Sequence, residues 1–267
     1  MSASGAISLS PTTRTLLEKA ATDNGFDQEL PPNEGWLGFA STKAPLWVWL
    51  TVDAAGRLLV AFSKVNVATA LSASASETDV PIPPGARGVL GASDIPALHG
   101  LLRRAFQLSR SLPDAPLRQF EARTRNLPRG TEVERLVVQR IGQDVFRDGL
   151  LEYWEGRCAI TGLAVPELLR ASHIKPWADC ETDEERLDVF NGLLLAPHLD
   201  AAFDRGFITV ADDGAVVVSA VLGAEDRRVL GLDVALQVSA LADGHRDFLP
   251  WHRASVFRPK RDGERAP

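Results

Sequence analysis

Cysteine is almost missing from this chain. Two residues of 267, Cys158 and Cys180, cannot build a four-thiolate zinc site, and neither stands in a CxxC pair. A chain so poor in thiols suits a reducing cytoplasm, and a cytoplasmic location is expected. Long apolar runs are missing as well, and none approaches the length of a membrane span. The opening MSASGAISLSPTTRTLLEKA has no basic stretch leading into an apolar one, so no secretory signal is expected. A basic excess is lacking too: the formal charge is −6, which weighs mildly against a nucleic-acid binder. The charge is uneven, however. Residues 1–130 hold 13 Lys and Arg against 11 Asp and Glu, a net +2; residues 131–267 hold 16 against 24, a net −8. Much of that acid is the run DCETDEERLD at 179–188. Contact with a polyanion would therefore have to come from local patches, more readily in the first half.

What is present suffices for one large or two modest domains with real cores. Ser10-Pro11 offers a helix N-cap with proline at the first helical position, Leu16, Leu17 and Ala20 give an apolar face, and Asn24-Gly25 closes the helix. A proline-rich turn over 30–35 precedes three strand-like runs: WLGFAS (36–41), LWVWLTV (46–52) and RLLVAFS (57–63), the last two forming a hairpin around Asp53-Ala54-Ala55-Gly56. Small residues at 68–78 and the PIPPGARG run read as loop. Residues 93–111 read as a helix with Ser93 as N-cap. The aromatics Trp36, Trp47 and Trp49 fall in the strands, where packing in a core is the plain reading. The sharper one is a pocket for a flipped, modified base.

Residues 112–130 read as a connector, with Pro113, Pro116 and Pro128 and four arginines, Arg118, Arg123, Arg125 and Arg129. Such arginines either track a phosphate backbone or are solvated. A helix then begins at Thr131, where Thr131 and Glu134 make a capping box ahead of Val133, Leu136, Val137, Ile141 and Val145.

Residues 157–206 carry the chemistry: RCAITG, then ASHIKPWADC, then LDVFNGLLLAPHLDAAFDRG. Asp200 and Asp204 stand four apart, so on a helix their carboxylates share a face and can converge on one cation. His173 lies in a strand-like segment, 171–174, closed by Lys175-Pro176. A near-neutral histidine beside a carboxylate-bound metal is what phosphodiester hydrolysis needs. Taken singly, His173 reads as a structural histidine, Asn191-Gly192 as a turn, Asp204 as a partner of Arg205, and Lys175 and Arg205 as surface charges.

Together these residues resemble the HNH endonuclease family, whose site is a ββα-metal fold. The resemblance implies His173 as general base, Asn191 as the residue that fixes the loop and orients the histidine, and Asp200 and Asp204 as metal ligands. Asp200 falls nine positions after Asn191, where the family places a ligand, and stands in for the last His of the name. Ser172 occupies a position often held by a metal-binding Asp or His, and His198, two residues from Asp200 on the helix, points elsewhere. Lys175 and Arg205 are candidates for holding the scissile phosphate. An all-oxygen ligand set favours Mg²⁺ or Mn²⁺ over Zn²⁺.

The expected fold is α+β: a small N-terminal module (1–111) that recognises DNA, the connector (112–130), and a C-terminal nuclease domain (131–267). The resemblance implies a restriction-type endonuclease of double-stranded DNA, selective for modified bases in one version, with no membrane partner and with a homodimer where both strands are cut. Two rivals stay open: a defence nuclease gated by a ligand or partner sensed by the first module, and a DNA-binding module that has lost catalysis.

Overall fold

The computed structural model describes residues 9–33, 35–71, 76–77, 82–128 and 130–259. Two compact units divide the chain, Met1–Ala115 and Pro116–Pro267. Helices and antiparallel sheets make it α+β, as the sequence predicts.

The first unit is a six-stranded antiparallel sheet in the order β1-β2-β3-β4-β6-β5, from β1 (Gln28–Asn33), β2 (Trp36–Ala40), β3 (Trp47–Val52), β4 (Leu58–Phe62), β5 (Ser76–Glu77) and β6 (Gly88–Ala92). Its helices are α1 (Pro11–Asp23), α2 (Val65–Leu71) and α3 (Ile95–Ser111). Helix α1 starts as expected, the Ser10 hydroxyl accepting from the Thr13 amide, whereas α3 is capped by Asp94 rather than Ser93. Helices α2 and α3 pack on β4 and β6, and α1 packs on α3 and β2.

Alternation along β3 divides the sheet. Val48 and Leu50 pair with Phe39 and Leu37 on one side and with Phe62 and Val60 on the other, giving one fully apolar face. On the opposite face Trp36, Trp49, Leu59, Ala61, Ala86 and Val89 form a second cluster. Gly38, paired with Trp49, leaves the indole its seat, since a Cβ there would lie 3.1 Å from Trp49 Cδ1.

Several expectations give way here. Trp36 and Trp49 are 7% and 5% exposed and fill a core, the plain reading of the strand aromatics, while Trp47 departs from it at 52% exposed. The 30–35 stretch is mostly strand, with Pro31 and Pro32 on edge strand β1, where a missing amide costs no ladder bond. Within 112–130, read as a connector, the chain forms α4 (Ala115–Thr124), with Pro116 in its first turn, where proline's lost N–H is harmless.

In the second unit α5 (Glu132–Tyr153) is a single 22-residue helix opened by the Thr131–Glu134 capping box. Phe120 of α4 is buried, and Pro116 and Val189 approach α5 at Gly149, where there is no side chain to obstruct them. Next come a 3-10 turn (Pro166–Leu168), β7 (Arg170–His173), α6 (Asp183–Leu187), β8 (Gly192–Leu195) and α7 (Pro197–Asp204). A hairpin follows, β9 (Ile208–Val210) and β10 (Val216–Val218), turning near Asp212, Asp213 and Gly214 as expected, then α8 (Ala224–Val229) and α9 (His245–Ser255). No helix among the described residues is long and apolar enough to cross a membrane.

His252 fastens α9 to α7 and β9. Its ring stacks on Phe203 at 3.8 Å, Nδ1 accepts from the Thr209 hydroxyl at 2.9 Å, and Nε2 donates to the Phe203 carbonyl at 3.1 Å. Burial holds its pKa at about 4, against an ordinary 6.5. Between those values the unfolded chain takes up a proton that the folded chain does not, so stability falls as pH drops from 6.5 toward 4. Between pH 7 and 5 this residue should cost about 2 kcal/mol. Urea unfolding at the two pH values, compared with His252→Gln, should show the wild type losing more by that amount; equal losses would refute the assignment.

Candidate active site

Strands β7 and β8 pair antiparallel, Arg170 with Leu195, Ala171 with Leu194, Ser172 with Leu193 and His173 with Gly192. Helix α7 packs on β7, and α5 packs on both strands. The hairpin therefore lies between two helices, and successive residues of β7 face opposite ways.

On the α7 face the Ser172 hydroxyl donates to Asp204 Oδ1 at 3.0 Å. Asp200, one turn earlier, also feels the Ser172 hydroxyl. Both carboxyls are pushed above their ordinary range. Burial is the main cause for each, and for Asp204 the charge of Asp200 adds to it. Ser172 is fully enclosed, Asp200 half-buried, and Asp204 at the surface though crowded by its neighbours. Arg170 acts electrostatically on Asp200, and Arg205 on Asp204. His198 is exposed on the same helix.

On the α5 face lies His173. Its ring stacks on Phe146 at 3.8 Å and 16°, with Trp177 edge-on at 5.8 Å. Two glycines make this possible. A Cβ on Gly192 would fall 2.5 Å from Phe146 Cζ, and one on Gly142 would fall 2.4 Å from Trp177. Nε2 of His173 donates to the Arg186 carbonyl at 2.9 Å, which leaves Nδ1 as the bare nitrogen. Burial lowers the pKa to about 4, so the ring is neutral near pH 7. His173 and the carboxylates therefore lie on opposite faces of β7, because adjacent residues along a strand point opposite ways.

Asn191 is fully buried and ties the loop between the strands. Its Oδ1 accepts from the Lys175 amide at 2.8 Å, and Nδ2 donates to the Lys175 and Glu185 carbonyls and to Cys180 Sγ. Arg186 adds bonds to the Trp177 and Cys180 carbonyls and to Asp183. The loop that presents the Arg186 carbonyl to His173 is thereby held from several sides. Lys175, expected at the phosphate, is committed elsewhere: its ammonium pairs with Glu185 at 2.9 Å and is largely buried. Arg123 and Arg125 are exposed on or just after α4, and Arg129 lies outside the described residues. Cys158 is a packed thiol whose Sγ accepts from the Thr161 and Ala196 amides, bracing the approach to α7.

Among the described residues no three His, Cys, Asp or Glu side chains cluster as a metal site. The α7 face nevertheless suits a hard cation. Two carboxylates and a hydroxyl converge there, and their crowded negative charge is what a divalent ion would relieve. Sequence reasoning missed Arg170. The strand was expected to begin at Ala171; alternation from Ser172 would have placed Arg170 on the carboxylate face.

Residues 158–211 match the family model described as HNH endonuclease, a segment that contains β7, β8, α7 and β9. The C-terminal region therefore carries an HNH-family domain, which supports a nuclease acting on DNA. A search of curated proteins finds no match.

The loop brace has a measurable consequence. Asn191→Ala removes a buried amide and strands the backbone groups of Lys175 and Glu185, which should lower stability by about 3 kcal/mol. Urea unfolding measures this, and a loss below about 0.5 kcal/mol, the scale of an ordinary surface substitution, would contradict the brace.

Proposed function

We propose that this protein is a metal-dependent endonuclease that hydrolyses DNA phosphodiester bonds. The observation that carries the reading is the convergence of Ser172, Asp200 and Asp204 on the α7 face of a ββα unit. Asp200 and Asp204 would hold Mg²⁺ or Mn²⁺, with Ser172 as a third, weaker oxygen donor. The bound ion supplies electrostatic stabilisation of charge developing on the phosphate and the leaving oxygen.

His173 is assigned the proton-accepting role. The Arg186 carbonyl fixes its tautomer, and stacking on Phe146 fixes its plane, so Nδ1 presents a lone pair without reorganisation. It follows Ser172 at the end of β7, with its ring on the α5 face. Asn191 acts through the loop, as an orienting residue rather than a proton carrier. In this reading the first unit selects the substrate, and restriction of foreign DNA, double-stranded and modified in one version, is the role that fits the resemblance.

The test is cleavage of plasmid DNA, unmodified and cytosine-modified, with Mg²⁺ or Mn²⁺, by wild type, Asp200→Asn and His173→Ala. Both variants should lose activity by at least about 100-fold. Loss in Asp200→Asn alone would leave His173 a structural residue. Undiminished cleavage by Asp200→Asn would sink the metal-site reading, and preference for one plasmid would assign the first unit as a modification reader.

A further inference from the structure

Arg170 is the exposed cation that the face of β7 sets beside the carboxylates. It stands two residues before Ser172, so its side chain leaves the strand on the α7 side, and its partner across the ladder is Leu195, two residues before α7 begins. Its positive charge acts on Asp200. Among the described residues it makes no hydrogen bond or ion pair that would occupy its guanidinium. The other basic side chains of the loop differ. Lys175 is tied to Glu185, and Arg186 is spent on Asp183 and on the Trp177 and Cys180 carbonyls. Arg205, the C-cap of α7, sits beside Asp204 at the opposite end of the carboxylate pair.

A phosphodiester approaching two carboxylates meets repulsion on every side that the metal does not cover. The protein needs a fixed positive group on the rim, and a planar guanidinium grips two phosphate oxygens at once where an ammonium offers a point charge. We propose that Arg170 binds the phosphodiester presented to Asp200 and Asp204, and so fixes the substrate's register on the α7 face. This rests on the nuclease reading above. It assigns Arg170 to the substrate, beside Lys175 and Arg205, the two candidates named from the sequence, of which Lys175 is paired with Glu185.

The experiment compares the full-length wild type, Arg170→Ala, Arg170→Gln and Arg170→Lys in two assays. The first is Mn²⁺-dependent cleavage of a labelled duplex, resolved into kcat and KM. The second is affinity for the same duplex in EDTA as a function of salt. Loss of one phosphate contact should lower the slope of log affinity against log salt by about 1. It should also reduce kcat/KM by about 10- to 100-fold in the Ala and Gln variants, with partial recovery in Lys. Urea midpoints identify any variant that is simply unfolded; the exposed position and three replacements keep at least one folded. A cutting wild type matched by Arg170→Ala or Arg170→Gln in kcat, KM and salt slope overturns the assignment and leaves the nuclease reading intact. A wild type that neither binds nor cuts DNA overturns both. An arginine that only offsets the charge of Asp200 would change stability while leaving the salt slope unmoved, and that too refutes the proposal.

Discussion

A hairpin of four residues a side, pressed between two helices, governs the second unit. Because side chains alternate along β7, each helix receives a different chemistry: α7 meets Arg170 and Ser172, and α5 meets Ala171 and His173. The close approach on the α5 side depends on missing atoms. Gly192 admits Phe146, Gly142 admits Trp177, and the two rings then enclose His173. The chain has no CxxC pair for a structural zinc, and a long helix, a buried asparagine and a packed thiol brace the hairpin.

The loop between the strands turns that packing into electrostatics. Asn191, Glu185 and Arg186 hydrogen-bond across the loop, and the Arg186 carbonyl meets the imidazole. Acidity in the 179–188 run, which carries much of the second half's negative charge, is in part structural: Glu185 pairs with Lys175, and Asp183 with Arg186. On the α7 face Arg170 acts on Asp200 and Arg205 on Asp204.

Local signals were the legible ones. Ser10, Thr131 and Glu134 announced their helices, the strands of residues 36–63 showed their alternation, and the four-residue spacing of Asp200 and Asp204 placed both on one side of α7. Long-range pairings left no trace in the sequence. Nothing near Lys175 announces that Glu185 will take its charge, and nothing near Trp49 announces that Gly38 will seat it in a core. Prolines misled twice, because an edge strand and a helix's first turn both tolerate them: Pro31 and Pro32 lie in β1, and Pro116 opens α4. His173 was placed by resemblance, and only the register of β7 showed which face its ring takes.

The central claim is that the α7 carboxylates form a cation site. Calorimetric titration of Mn²⁺ into the full chain addresses it without DNA. The account predicts one ion per chain in the wild type and at least about tenfold weaker binding in the Asp200→Asn/Asp204→Asn double variant, in line with the loss of two charged oxygen donors. Equal stoichiometry and affinity in the two proteins would contradict it.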